Sequence, residues 1–498
     1  MTVKFKTGLV GSRRRSLLVV SLIVTFMLVL VSSLIVGMVF NSFSVTYALN
    51  GGDSDDLIVD FNEYSVGDVV HVLEAEPTRV SYVFNGWVSS FDGETYWFGD
   101  AFEMPSESVT FTADWISDEE ETVDDEASLK AVVKVGNETS FRNAVDNATE
   151  PLIIALSRNI KLSAPIVIPA GKNIALTSNN NVAFFKLIGA NSASTLIVDA
   201  GGRLTLDGVI VSHKSGDVGR GVIVNSGGML NMNSGEISDN YVTADDGGGG
   251  GVYVHSGGFF ELHGGVIANN TSFAGGGVYV NSEGSFVMYN GVIDSNVANG
   301  EGGGVYVFCS DFRMYGGDIS GNMADGEGGG VYLSSGSFSL FGDAVISGNT
   351  AKRSGGGVYV VGASNSFSRF VIHAGGVIVN NTAHYHGGGV YVRAVSFSSS
   401  GGVIANNTAW YGGGVYMSYS SFTISNGGVV ANNKASMDGG GVYVHHANSV
   451  FNLRDGRISG NTASTGGGVY NFNGTFDKSG GKIFGNTAAI GSDVHQNQ

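Results

Sequence analysis

The sequence predicts an all-β fold whose main body is a right-handed parallel β-helix, a solenoid of coils about 26 residues long. Three observations predict it. Gly-Gly-Gly-Val-Tyr recurs nine times, with its tyrosine at Tyr253, Tyr279, Tyr306, Tyr332, Tyr359, Tyr391, Tyr416, Tyr443 and Tyr470, at spacings of 26, 27, 26, 27, 32, 25, 27 and 27 residues. In phase with it, Ile-x-x-Asn places an asparagine column at Asn240, Asn270, Asn296, Asn322, Asn349, Asn381, Asn407, Asn433, Asn461 and Asn486; Asn433 is the one variant, because Val430 stands where the others have Ile. A third motif, Phe-x-Leu/Met/Ile, falls at Phe260, Phe286, Phe312, Phe338, Phe422 and Phe451.

Each unit therefore holds three short alternating segments separated by glycine and Asn-x-Ala turns, none long enough for an ordinary helix. Such strands cannot bury a face alone, so successive units must stack with equivalent strands in parallel. Stacking at roughly 4.8 Å per coil puts identical residues above one another. Phe, Leu, Ile and both valines of Val-Tyr-Val then face inward and the tyrosines outward, since a one-residue slip would reverse every side chain. Glycine triplets suit corners that need positive φ or close backbone approach. The asparagine column is expected to form a hydrogen-bonded ladder at an inner bend, satisfying turn backbone groups.

Composition narrows the class. Among 498 residues Gly is 78 and Pro 5 with no three-residue period, which excludes a collagen-like rod, and 43% hydrophobic content excludes general disorder. A formal net charge of −18 argues against a phosphate-backbone partner, so no nucleic acid is expected. Cys309 stands alone, leaving no intramolecular disulfide and no multi-cysteine metal site.

Taken in order, residues 1–15 form a basic segment with Lys4, Lys6, Arg13, Arg14 and Arg15 and no acid. Residues 16–40 carry no charge and are long enough to span a bilayer, with the basic cluster held on the cytoplasmic side. Either a retained transmembrane anchor or a signal peptide cut near Thr46-Tyr47-Ala48 is compatible with this, and both export the rest of the chain. Residues 57–115 alternate with period two in β-branched and aromatic residues, as a half-buried sheet does. Residues 116–130 include seven acids between Ser117 and Glu126 and read as a solvated linker. The solenoid occupies 131–498, and a short amphipathic helix at 140–148, capped by Ser140 and carrying Phe141, Ala144, Val145 and Ala148, is expected to cover its open N-terminal end. No comparable C-terminal cap is visible.

Two resemblances follow from these residues. Pro77-Thr-Arg79, Tyr82-Val-Phe84-Asn-Gly86-Trp87 and Val109-Thr-Phe-Thr-Ala113-Asp-Trp115 resemble the Listeria–Bacteroides (internalin B-type) repeat, a small β-grasp-like module of surface proteins; Ser81 stands where that family has Gly. Gly-Gly-Gly-Val-Tyr-Val with Ile-x-x-Asn-x-Ala resembles the pectin-lyase-like right-handed β-helix of adhesin-like surface proteins, over about 350 residues. It is also similar to the repeats of chlamydial polymorphic outer-membrane proteins. The fold hosts adhesins and polysaccharide-cleaving enzymes alike, so it does not fix function.

An enzyme on this fold needs carboxylates and basic residues gathered where the repeat is broken. Asp245-Asp246, Asp294 and Asp318 read instead as exposed turn carboxylates, and the catalytic motifs of polygalacturonases are absent as a set. His384-Tyr-His386 and His445-His446 sit at turns or strand ends, without further matched metal ligands. No catalytic residue, metal or cofactor is therefore expected. The nine tyrosines are the candidate ligand-binding strip, for a glycan or a surface protein, and also suit a self-stacking ladder. The longest unit inserts residues around Val361 to Ser366, a second candidate recognition site. The expected function is an exported, adhesin-like binding or structural stalk, with a polysaccharide lyase or glycoside hydrolase as the alternative.

Overall fold

The computed structural model describes residues 42–51, 60, 62–73, 77, 79, 82–96, 100–117, 131–179, 184–243, 247–362 and 368–496. The basic segment and apolar run of residues 1–40, most of the acidic linker, Asp245-Asp246 and the insertion at 363–367 lie outside them. No helix among the described residues is long and apolar enough to cross a membrane. The chain divides into two compact units, 1–126 and 127–498.

Among its described residues the first unit has six short strands: β1 (Val45–Ala48), β2 (Val69–His71), β3 (Tyr82–Ser89), β4 (Thr95–Tyr96), β5 (Ala101–Glu103) and β6 (Val109–Ser117). Four of them form a sheet in the order β1-β6-β3-β4, with β1 parallel to β6 and the other pairs antiparallel, while β2 and β5 pair separately. Period-two alternation puts Val45, Trp87, Val109, Phe111 and Ala113 in one core with Val70, Val72, Phe102 and Met104. Trp87 is fully buried, and the Trp115 indole donates to the Leu49 carbonyl at 2.9 Å. Thr46-Tyr47-Ala48, where a signal peptide would be cut, is part of β1. Tyr47 lies against Phe111 and Trp87, and its hydroxyl accepts from the Leu73 amide at 2.9 Å. A cut after Ala48 would take this strand out of the sheet.

The second unit is a right-handed parallel β-helix. Its Val-Tyr-Val strands form one 13-stranded sheet, from Ile166–Ile168 to Val494–Gln496. The Phe-x-Leu and Ile segments share a second, 25-stranded sheet. A third, seven-stranded sheet is made of two-residue strands such as Thr350–Ala351, where the sequence pattern predicts only an Asn-x-Ala turn. Each coil that carries such a strand thus contains four strand segments rather than three.

Register is kept from coil to coil. Phe260, Phe286, Phe312, Phe338, Phe370, Phe397, Phe422, Phe451 and Phe476 pair in sequence, and their rings stack at centroid distances of 4.3–5.1 Å. The 32-residue coil keeps the same pairing, Val361 with Arg393 and Phe370 with Phe338, so its extra residues fall between Val361 and Phe370. The glycine triplet serves two needs. Gly328 has φ +69°, while a Cβ on Gly329 would stand 2.4 Å from the Gly356 carbonyl of the next coil.

The N-terminal helix runs Glu138–Asn147, two residues ahead of its expected start. Asn137, not Ser140, is the N-cap: its side chain accepts from the Ser140 amide at 2.8 Å, and the Ser140 hydroxyl returns toward the Asn137 backbone. Phe141, Ala144 and Val145 are buried in the solenoid core, so the helix closes its first coil. Arg142 donates to the Pro165 carbonyl at 2.9 Å, and Glu138 accepts from Ser163 at 2.8 and 2.9 Å, fixing the lid to the coil below.

Candidate functional site

The asparagine column is a continuous chain of hydrogen bonds. From Asn240 to Asn486 each Nδ2 donates to the Oδ1 of the next asparagine at 2.8–3.1 Å, and each backbone N–H donates to that same oxygen at 2.8–3.2 Å. The second Nδ2 hydrogen goes to a carbonyl of the preceding coil, as from Asn322 to Ile293 at 2.8 Å. An interior rung therefore has both donors and both lone-pair directions of its amide satisfied while fully buried.

Asn433, the variant rung, corrects the motif rather than the ladder. It accepts from Asn407 at 3.0 Å, donates to Asn461 at 2.9 Å and to the Ile404 carbonyl at 3.0 Å, as its neighbours do. Val430 fills the Ile column in register between Ile404 and Ile458 and is fully buried, so the isoleucine of the motif is a packing preference and the asparagine is the requirement. The chain also has direction. His213 Nδ1 lies 2.7 Å from the Asn240 oxygen at one end, and Asn486 Nδ2 donates to Asp493 at 3.0 Å at the other.

The tyrosine column stacks face to face. From Tyr253 through Tyr443 the ring centroids are 4.5–5.2 Å apart and the planes 1–16° from parallel. Arg220 stands 5.1 Å over the first ring, and His495 stacks on the last, Tyr470, at 5.3 Å. Neighbours thus occupy the ring faces, and the rings from Tyr253 to Tyr391 are half-buried. Tyr416, Tyr443 and Tyr470 are buried, packed with Tyr391, Tyr411 and Phe472, so the outward strip runs from Tyr253 to Tyr391. Burial, followed by the Glu301 and Glu327 charges, pushes the Tyr332 phenol up to about 12. A second stack, His263, Tyr289, Tyr315, Phe341 and His373, lies at the turn within the 25-stranded sheet. The mixed residue types of this column hide it from a motif search.

The other sequence candidates are dispersed. Asp294 accepts from Ser295 and Ser320 hydroxyls, and Asp318 is exposed at the start of its strand. His386 packs against Tyr416, and His445 Nδ1 lies 2.9 Å from the Tyr416 hydroxyl. Burial, with His446 and His386 adding to it, holds the His445 imidazole down at about 4. No group of three or more His, Cys, Asp or Glu side chains among the described residues is placed to hold a metal ion.

The structure gathers a different set at the corner between the two-residue strands and the glycine triplets. Successive coils place there Asn299-Gly-Glu301, Asp325-Gly-Glu327, Lys352-Arg353, His384-Tyr385-His386, Trp410-Tyr411 and Ser436-Met437-Asp438. Lys352 pairs with Asp325 at 2.6 Å and Arg353 with Glu327 at 3.6 Å. Burial first, and the Glu327 charge second, raise the Glu301 carboxyl above its usual range. Tyr385 and Trp410 are each 42% exposed and Met437 40%. The scaffold columns repeat from coil to coil; this corner does not.

The chain matches no known family model, no curated protein and no solved structure. Function has to be argued from the site.

Proposed function

We propose that this is an exported cell-surface protein, tethered by its N-terminal apolar segment, whose β-helix is a non-catalytic stalk that binds envelope glycans. One observation carries the reading: repeated columns build the scaffold, while one corner varies from coil to coil and exposes Tyr385, Trp410 and Met437 beside the Lys352–Asp325 and Arg353–Glu327 pairs. The half-buried column from Tyr253 to Tyr391 adds a second aromatic strip along the neighbouring sheet. A cut at Thr46-Tyr47-Ala48 is disfavoured by β1, which the first unit's sheet needs. The test is retention of the full chain, kept in mild detergent, on the envelope fraction of its own cells. Periodate oxidation of that fraction is expected to abolish retention and protease treatment to leave it. Retention that survives periodate and falls with protease would replace the glycan by a protein.

A specific observation also favours a second reading, glycoside hydrolysis. Glu301 and Glu327 stand on adjacent coils, one carboxyl held above its usual range and the other paired with Arg353, the division of roles that an acid and a carboxylate partner need.

A further inference from the structure

The corner also says which kind of glycan. We propose that Arg353, Tyr385, Trp410 and Met437 form a binding site for an uncharged polysaccharide segment lying along the coil axis, a reading that rests on the glycan-binding function above.

The Tyr385 amide donates to the Arg353 carbonyl and the Tyr411 amide to the Tyr385 carbonyl, both at 2.8 Å; the Met437 amide donates to the Trp410 carbonyl at 2.9 Å. The corner is therefore as regular as the sheets, and its side chains are presented one coil apart. At about 4.8 Å per coil, the three steps from Arg353 to Met437 cover roughly 14 Å. That is close to the length of a few linked pyranose rings.

The rings differ from those of the tyrosine column. Tyr385 and Trp410 lie with planes 15° from parallel but centroids 6.2 Å apart, against 4.5–5.2 Å in the column. The wider separation offsets the two rings, so that part of each π face is left open, and both keep 42% of their surface exposed. His384 meets Tyr385 edge-on at 4.6 Å and Trp410 at 6.1 Å, while Tyr411 lies beside Trp410 at 6.2 Å. Braced aromatic rings with open faces suit the apolar C–H face of a sugar, and the paired Lys352, Asp325, Arg353 and Glu327 offer donors and acceptors to its hydroxyls.

Charge decides against a polyanion. Both basic residues are already matched by acids, Glu301 adds a further carboxyl nearby, and the whole chain carries a formal −18. A uronate chain would meet repulsion rather than a free cation. Size decides against a protein. A stable protein partner buries about 800 Å² on each side, some 20–30 residues, whereas between Arg353 and Met437 the exposed apolar part of this corner is three side chains on three coils.

Trp410 supplies the readout, because it is the only tryptophan in residues 127–498; Trp87, Trp97 and Trp115 all lie in the first unit. The full chain in mild detergent is titrated with a neutral β-glucan, a mannan and an N-acetylglucosamine hexamer, and with polygalacturonate as the polyanion. At least one neutral probe is expected to shift the emission to the blue and protect it from iodide. Trp410→Ala and Tyr385→Ala are each expected to weaken retention of that probe at least tenfold. Phe273→Ala, at an exposed aromatic farther along the same corner, is expected to stay within twofold, with unchanged circular dichroism in all three. Equal retention by the wild type and both variants overturns the proposal, as does tighter binding of polygalacturonate or no binding of any neutral probe. Envelope retention that persists in Trp410→Ala would reject this corner and leave the glycan-binding function standing. Loss of periodate-sensitive envelope retention in the wild type would reject that function itself.

Discussion

At the scale of single residues, the buried and exposed columns answer different physical demands. Asn322 is fully buried, and its amide bonds to Asn296, Asn349 and Ile293. Asn322→Ala leaves partners on both neighbouring coils unsatisfied in the core. A loss of about 1–3 kcal/mol is expected for stranding buried polar groups of this kind, read as a lower thermal midpoint by circular dichroism. The tyrosines carry a pH signature. The Tyr332 phenol is raised from 10.0 to about 12 in the folded chain, chiefly by burial, so its neutral form is favoured by folding. That contribution is complete below pH 10 and is lost as pH rises toward 12, because the unfolded chain ionises first. Absorbance at alkaline pH should show Tyr332→Phe losing a late-titrating phenol. The asparagines were legible in the sequence because Ile-x-x-Asn repeats in phase, and Asn433 was legible by phase alone, without the isoleucine. The ladder's ends were not: His213 and Asp493 occur once each, and only folding brings them to Asn240 and Asn486.

At the scale of elements, what repeats in type was readable and what repeats only in position was not. The Val-Tyr-Val, Phe-x-Leu and Ile segments alternate over three or more residues, which is enough for a period to show. Thr350–Ala351 and its equivalents span two residues, too few for any period, although they build a sheet of their own. Phe397 completes the phenylalanine stack outside the motif, because Ser398-Ser399 follow it, whereas Phe370-Val371-Ile372 fits the motif and takes its place in the stack. The helix was found by its apolar face and misplaced at its start, since either Asn137 or Ser140 has the chemistry of a cap and the pair share the task. The later coils have their own acid sensitivity. Burial lowers the His445 imidazole from 6.5 to about 4, so folding favours its neutral form, and this contribution is complete above pH 6.5 and lost as pH falls toward 4. His445→Gln is expected to flatten the fall in thermal midpoint between pH 6.5 and 4, because an amide does not take up that proton.

At the scale of the whole solenoid, each coil contacts its neighbours through the same columns, so stability is close to a sum of coil and interface terms. Removing residues 307–332, one 26-residue period from Val307 to Tyr332, keeps every column in register. The shortened chain is expected to fold with the same circular dichroism per residue, whereas removal of half that length should turn apolar columns outward and leave it aggregated. The same regularity explains why the corner escaped the sequence reading. A search for repeats fixes the columns that agree, and the corner carries acid, base, imidazole and indole in turn. The division between scaffold and recognition has a chemical consequence. The full chain is incubated with the polysaccharides that it retains, and new reducing or unsaturated ends are counted over time. Retention with no new ends is the predicted result. Ends that accumulate with the wild type and not with Glu301→Gln would contradict the account and make the Glu301–Glu327 pair an active site.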